Sequence, residues 1–319
     1  MDEFAFIKWI RNQQKKDKNI TIGIGDDCSS IKVNDNKVYL VTTDMLIEGT
    51  HFELKKNTPK EIGRKSIACS VSDIAAMGCF PKYAVISICF HYNVKTKFAK
   101  ELFMGMKKEA DEYNIKIVGG DIVSGKKILA INVAIFGEND GLIPLTRSGA
   151  RAGDIIMVTG TLGGSILRKH IAFKPRLREG LILNKKFHIN SMIDVSDGLI
   201  ADLNHILEES RVGAILYEDK IPISPDARRL ARKTGLSTLH HALHDGEDYE
   251  LLFTLPNKES DKLVESRAFP IRVSKIGHIK KSIGLFIQNS NGKRKKIKPK
   301  GYEHFKENKS LYYGKSNPY

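Results

Sequence analysis

Several aspartates of this chain stand where a short apolar run stops. Asp26 and Asp27 follow a glycine turn in "GIGDDC", Asp44 ends "VTTD", Asp121 ends "IVGGD", and Asp194 and Asp197 bracket Ser196 in "IDVSDG". Asp73 lies instead inside "SVSDIAAMG". Any one of them alone is explained by a cap or a turn, because Asp hydrogen-bonds its own neighbouring backbone. The set asks for more. Carboxylates about 4 Å apart repel by about 4 kcal/mol per pair at an effective dielectric of about 20. A converging cluster must therefore be protonated, be paired with cations or hold a metal. Oxygen ligands with no His–Cys set beside them select Mg2+ or Ca2+ over zinc, and the spacing of an EF-hand loop is missing. Mg2+ held by a few carboxylates completes its shell with water and substrate phosphates, which points to a nucleotide. Neither G-x-x-x-x-G-K-[ST] nor G-x-G-x-x-G in a βαβ setting occurs. "VTGTLGGS" is a glycine loop after a strand, and it suits either a phosphate or close helix packing.

Periodicity gives the elements that must hold these residues. "KVYLVTTDML", "YAVISICF", "IKIVGGD" and "ILAINVAIFGE" read as strands. "TPKEIGRKSIACSVSDIAAMG" reads as a helix that opens on Thr-Pro and stops at Gly78, and "FAKELFMGMKKEADEY" reads as a second, amphipathic helix. Polar residues, glycines and Pro144 cluster in "IPLTRSGARAGD", which places a domain boundary there and divides the chain into 1–148 and 149–319. After it, "DIIMVTGTLGGS" predicts strand, loop and helix. "MIDVSDGLIADLNHILEES" predicts a strand running into a helix, and "ISPDARRLARKTG" a helix with a Gly stop. "HDGEDYELLFTLP", "RVSKIGHI" and "IGLFIQNSNGK" supply closing strands. No fixed-period repeat is present.

Composition narrows the classes. With 319 residues, 41% of them hydrophobic, the chain suits a soluble protein of two domains. No apolar run approaches the roughly 20 residues of a membrane helix. "MDEFAFIKWIRNQQKK" places Phe4, Ile7 and Ile10 at helical spacing and reads as a short amphipathic helix instead of a signal peptide, which favours the cytoplasm. Cys28, Cys69, Cys79 and Cys89 form no C-x-x-C pair and read as buried free thiols. Lys and Arg outnumber acids 52 to 37, a formal net charge of +15. Much of the excess lies in "NGKRKKIKPKGY", a solvated basic face. A nucleic-acid partner would need interleaved aromatics, and the run has none before Tyr302.

In order, "GIGDDC", "TTDMLIEGTHF", "SVSDIAAMG", "GGD", "LTRSGARAGD", "VTGTLGG", "IDVSDGLIADL" and "GEDYEL" resemble the thiamine-monophosphate kinases, a family of the ATP-binding superfamily related to aminoimidazole ribonucleotide synthetase. The match runs from near Ile20 to "KGYEHF". The resemblance implies a two-domain α/β (α+β) fold. Its N-terminal mixed sheet with helices would carry the ATP and Mg2+ sites and pair across a homodimer into a β-barrel. Its C-terminal α/β sandwich would complete the nucleotide and substrate sites. The implied reaction is in-line transfer of the ATP γ-phosphoryl group to thiamine phosphate, giving thiamine diphosphate and ADP, with several Mg2+ ions and K+ as a further candidate ion. An oxygen of thiamine phosphate is already anionic, so no general base is needed, and positioning and charge neutralisation carry the catalysis.

Carried over by motif, the implied metal ligands are Asp27, Asp44, Asp73, Asp121, Asp194 and Asp197, with hydroxyl or carbonyl oxygens from Thr42 and Thr43. Asp26 is left as a turn or supporting residue. Gly120, Asp121, Arg147 and Ser196 are the implied ATP contacts, and His51, Glu247 and Tyr302 the implied thiamine-phosphate contacts. An aromatic face suits a cationic thiazolium ring. Sister enzymes on the same fold fit less well. A selenophosphate synthetase wants a reactive N-terminal Cys and none precedes Cys28. A hydrogenase-maturation dehydratase wants a C-terminal Cys, and the chain ends "GKSNPY".

Overall fold

A computed structural model describes residues 3–126, 128–299, 301 and 302. After helix α1 (Glu3–Gln13) come strands β1 (Ile20–Ile22), β2 (Ser29–Asn34) and β3 (Lys37–Ile47), then helix α2 (Pro59–Ala76). Strand β4 (Phe80–His91), helix α3 (Thr96–Glu112), β5 (Lys116–Gly125) and β6 (Ala130–Glu138) complete the first unit. Its six-stranded sheet has the order β1-β2-β3-β6-β4-β5. Only β4 and β5 run parallel, joined through α3, so the sheet is mixed as expected. In β3, Leu40, Thr42 and Leu46 are buried while Tyr39, Thr43 and Met45 are exposed, the period of a strand covered on one face. Helices α2 and α3 cover that face. The other face stays open and carries Ile31, Tyr39, Met45, Tyr83 and Phe136 exposed. Within one chain this sheet does not close into a barrel.

Helix α2 starts where the sequence says it should. The Thr58 hydroxyl accepts from the Glu61 N–H while the Glu61 carboxylate accepts from the Thr58 N–H, with Pro59 at the first turn. Gly78, just beyond its end, has φ +61°, a value that suits glycine. Most of α2 is buried, its serines included.

The second unit begins with β7 (Ile155–Thr159), α4 (Lys169–Ala172), α5 (Leu177–Lys186) and β8 (Ser191–Asp194). Then come α6 (Leu199–Ser210), β9 (Gly213–Tyr217), α7 (Pro225–Thr234), α8 (Thr238–His244) and β10 (Leu251–Leu255). Helix α9 (Asn257–Ser266), β11 (Val273–Lys280), β12 (Gly284–Gln288) and β13 (Arg294–Ile297) close it. The sheet order is β13-β12-β9-β11-β7-β10-β8. Ile156 and Val158 of β7 enter one apolar core and Met157 the other. Helices therefore cover both faces, as in an α/β sandwich.

Three local expectations change. "VTGTLGGS" leads only into a 3-10 turn (Ser165–Leu167) and the four-residue α4, not a full helix. Helix α1 buries no residue, and Phe6 stacks on Trp9 in solvent at 5.8 Å between centroids. Part of the basic run forms β13, an exposed edge strand. Of "KGYEHF" only Gly301 and Tyr302 are among the described residues. Cys28, Cys69 and Cys79 are buried free thiols, and Cys89 is half-buried. Among the described residues no helix is long and apolar enough to cross a membrane.

Candidate functional site

The end of β8, one face of β3, the "GIGDDC" turn and the C-terminal half of α2 meet between the two units. Carboxylate oxygens of Asp27, Asp73 and Asp194 lie within 4.8 Å of one another there. Hydroxyls aim them. Thr42 Oγ1 donates to Asp73 Oδ2 (2.5 Å), Ser70 Oγ to Asp44 Oδ2 (2.6 Å) and Ser72 Oγ to Asp194 Oδ2 (2.6 Å). Burial, and then the charges of Asp44, Asp194 and Asp27, push the Asp73 carboxyl well above the usual carboxylate range. Burial and Asp27 push Asp194 up to about 8. Burial likewise raises Asp44 and Asp27. These groups are costly to ionise together without a cation.

Arg147 brings a protein cation to this cluster. Arg147 Nη2 donates to Asp27 Oδ1 (2.6 Å), and the Arg147 N–H donates to both Asp26 oxygens (3.2 Å each). Burial opposes the Arg147 charge, and Asp27 and Asp26 more than offset it. Burial, then Asp27, holds Asp26 up at about 7. Asp27 Oδ2 and Arg147 Nε are buried with no hydrogen-bond partner. An orphaned buried carboxylate oxygen facing further carboxylates is a group that fits a hard cation.

A second grouping lies two turns back along α2. Lys65 Nζ donates to Glu247 Oε1 (2.5 Å) and to the His51 carbonyl (2.7 Å). His51 Nδ1 accepts from the Ile47 N–H (3.0 Å), which fixes the ring. The Tyr302 N–H donates to the Asp197 carbonyl (3.2 Å). Burial, followed by the charges of Glu247, Glu3 and Asp197, raises the Tyr302 phenol. His51, Glu247 and Tyr302 thus come from distant parts of the chain to one region. The two groupings are stitched together. The Glu247 N–H donates to the Ser196 carbonyl and the Tyr249 N–H to the Val195 carbonyl, each 2.7 Å.

Other residues fall elsewhere. The register Asp121–Ser87–Asn132–Met45 puts Asp121 on the open face of the first sheet. Asp44 faces the helices three strand spacings away, roughly 14 Å. Within one chain Asp121 does not join the carboxylate cluster. Thr43 also faces the open side, where its hydroxyl accepts from Asn132 (2.8 Å). At Gly120 a Cβ would sit 1.8 Å from the Ile86 carbonyl oxygen, so only glycine lets β5 lie here. Asp197 groups with Asp202 and His205 rather than with Asp194. Asp202 accepts from the Asp197 and Gly198 N–H groups (3.1 and 3.0 Å) at the start of α6.

The glycine loop after β7 is a packing device. A Cβ on Gly163 or Gly164 would meet backbone of His241 or Asp226 within 2.6 Å, and their N–H groups donate to Asp248 and Asp245. His244–Asp245 before the "GEDYEL" motif therefore has a structural role through Asp245, which also pairs with His241 (3.0 Å). Lys65, Ser70, Ser72 and Asp202 escaped the sequence reading. The serines carried one usable signal: they crowd "SVSD" inside a helix, away from any cap.

Comparison with known proteins supplies the family. Residues 25–139 match the model of the AIR synthase related protein N-terminal domain, and residues 151–288 the model of its C-terminal domain. Thiamine-monophosphate kinase of Buchnera aphidicola subsp. Acyrthosiphon pisum is 38% identical, covering 95% of this chain and 98% of its own. The solved structure of AaThiL complexed with AMPPCP and TMP superposes with a TM-score of 0.83 at 30% identity, over 95% of this chain and 97% of its own. The hydrogenase maturation protein HypE of E. coli superposes with a TM-score of 0.70 over 82% of this chain and 86% of its own. At 19% identity that likeness extends to the fold alone. Relatives sharing one activity cover nearly the whole length, both domain models match in order, and the carboxylates converge between the two domains: this chain belongs to the thiamine-monophosphate kinase family.

Proposed function

We propose that this protein transfers the γ-phosphoryl group of ATP to thiamine phosphate, giving thiamine diphosphate and ADP. The observation that carries the reading is the convergence of Asp27, Asp73 and Asp194 around the orphaned Asp27 oxygen. Asp27, Asp44, Asp73 and Asp194, with Thr42, would hold Mg2+, and Asp197 would do so from its separate grouping with Asp202 and His205. Bound there, Mg2+ would neutralise and orient the phosphates. Asp121, Gly120 and Thr43 take part only if the nucleotide reaches across the sheet edge or the open face is completed by a second chain.

The protein groups then act by position. Arg147 presents a planar donor beside the cluster and exchanges Asp27 for phosphate oxygens as charge arrives. Ser196 lies between the two groupings and contacts the nucleotide. His51, Glu247 and Tyr302 take the acceptor, whose phosphate oxygen attacks in line, and no residue serves as a base. The open apolar face of the first sheet supports a homodimer built through that sheet. The surplus of basic residues favours approach of anionic substrates in the cytoplasm.

The test is a coupled ADP-release assay offering thiamine phosphate, thiamine and aminoimidazole precursors separately. Turnover is expected with thiamine phosphate alone, dependent on Mg2+. No turnover with thiamine phosphate in Mg2+ and K+ overturns the proposal.

A further inference from the structure

Lys65 has no exposed side-chain surface, a rare state for a lysine. Its ammonium reaches across from α2 to two segments that carry the acceptor contacts: the Glu247 carboxylate of the second domain and the His51 carbonyl of the first. The pair is not a sealed core feature. Glu247 keeps about a quarter of its side chain exposed. If stability alone were at stake, an apolar pair of similar volume would serve as well, because burying two charges costs about what their attraction returns.

The Glu247 backbone points the same way. Its φ of +60° is a left-handed value that a non-glycine residue holds only when its surroundings over-determine it. Here the surroundings are the Lys65 ammonium on the side chain and the Ser196 carbonyl on the N–H. With Oε1 engaged by Lys65, the carboxylate is held in one orientation at a partly open edge. Beside the His51 segment, Phe52 lines a cleft of about 280 Å3 with Glu53, Leu167, His170 and Ile171.

Helical spacing relates this end to the metal end. Lys65, Cys69 and Ser72 fall at i, i+4 and i+7 on one stripe of α2. They contact Glu247, the Tyr249 hydroxyl (3.1 Å) and Asp194 in turn. Lys65 and Asp73 are eight residues apart, about 12 Å of helix rise. An acceptor whose cationic ring carries its phosphate on a short linker has a site for each.

We infer that Lys65 is a positioning residue for the phosphoryl acceptor: it aims the Glu247 carboxylate and fixes the His51 segment so that together they receive the acceptor's positively charged ring. The inference rests on the kinase reading of the same site. It is tested on the full chain by measuring KM for thiamine phosphate and for ATP separately. Calorimetric binding of thiamine, which has the ring and lacks the phosphate, is measured alongside without ATP.

Lys65→Met is expected to raise KM for thiamine phosphate and weaken thiamine binding by roughly 10- to 100-fold, the range for a lost hydrogen bond to a charged group. KM for ATP should stay within about 3-fold, because the lost interaction belongs to one substrate. Adding Glu247→Gln to Lys65→Met should cost little more than either change alone, since the two residues act as a unit. Should the Met variant not fold, Lys65→Gln keeps a donor for the His51 carbonyl, removes the charge and must show the same split. Equal losses for ATP and acceptor mark a merely structural lysine and overturn the inference, as does unchanged acceptor affinity in the variant that folds. Wild-type enzyme that does not turn over thiamine phosphate overturns the kinase reading and this inference with it. Wild-type turnover with unaffected variants overturns this inference alone.

Discussion

Asp73 stands among Asp27, Asp44 and Asp194, and its carboxyl resists ionisation more because of that company. Asp73→Asn keeps shape and an acceptor for the Thr42 hydroxyl while removing one charge. Its phosphoryl-transfer rate should fall by at least about 100-fold, as for loss of a positioned electrostatic group. Its metal-free form should melt at or above the wild-type temperature, since functional carboxylate clusters are held at a cost in stability. Rate assays and thermal unfolding check both, and wild-type turnover would remove Asp73 from the proposed metal set. The same groups set a pH dependence. Asp26 and Asp194 are held up at about 7 and about 8, mainly by burial. Between about pH 4 and those values the native state keeps protons that the unfolded chain has lost, so this stability declines as pH rises. His205, pushed down to about 4 by burial and Arg147, acts oppositely below about pH 6.5, as one group against several. Metal-free protein should therefore melt lower at about pH 8 than at about pH 6, and added Mg2+ should raise the midpoint more at the higher pH. Melting scans in chelator and in Mg2+ measure this. A flat profile would contradict the cluster electrostatics. At this scale Asp194 was legible because an aspartate at a strand end is a usable signal, Asp27 because it follows a glycine turn, and Asp73, inside a helix, only through its motif. Lys65 was not, because a lysine in a helix reads as solvent-facing until its neighbours on both sides are known.

Helix α2 can carry both groupings only because its neighbours come unusually close. A Cβ on Gly63 would lie 2.1 Å from the Leu102 carbonyl oxygen, and one on Gly105 2.1 Å from that of Lys60. Gly180 approaches the Ala75 carbonyl in the same way, 2.2 Å for its Cβ. Gly63→Ala should destabilise the protein by about 2–3 kcal/mol through overpacking. Gly119→Ala, whose Cβ meets nothing within 4 Å, should change stability by less than about 1 kcal/mol. Denaturant unfolding of the two variants makes the comparison, and equal stabilities would remove the close-contact argument. The helix itself was legible from Thr58-Pro59 and Gly78, since capping chemistry is local. The distance of Asp121 from the cluster was not. It follows from the strand order β3-β6-β4-β5, which interposes two strands that no local pattern announces.

For the whole molecule, the two-domain division showed in the turn-rich "IPLTRSGARAGD", which falls between the last strand of one sheet and the first of the other. A periodicity argument marks the exposed apolar residues of the first sheet's open face but cannot say what meets them. Tyr83 lies half-exposed on that face beside Phe136 in the register. Under the proposed homodimer, Tyr83→Glu should shift the protein from dimer to monomer in sedimentation, because an unpaired charge in an apolar interface is strongly unfavourable. Sedimentation of the wild type as a monomer would overturn that proposal. A net charge of +15 further implies that the apparent affinity for ATP weakens as salt screens long-range attraction, which a KM series in increasing KCl measures.

The stripe Lys65–Cys69–Ser72 and the neighbouring Ser70–Asp73 pair share one short helical segment. Adding or deleting a single residue between Lys65 and Asp73 would turn everything downstream by about 100° about the helix axis. Either end could be kept in phase, never both. This stretch of chain can change its letters more freely than its length, and the gap between its Lys65 and Asp73 ends is counted in whole residues.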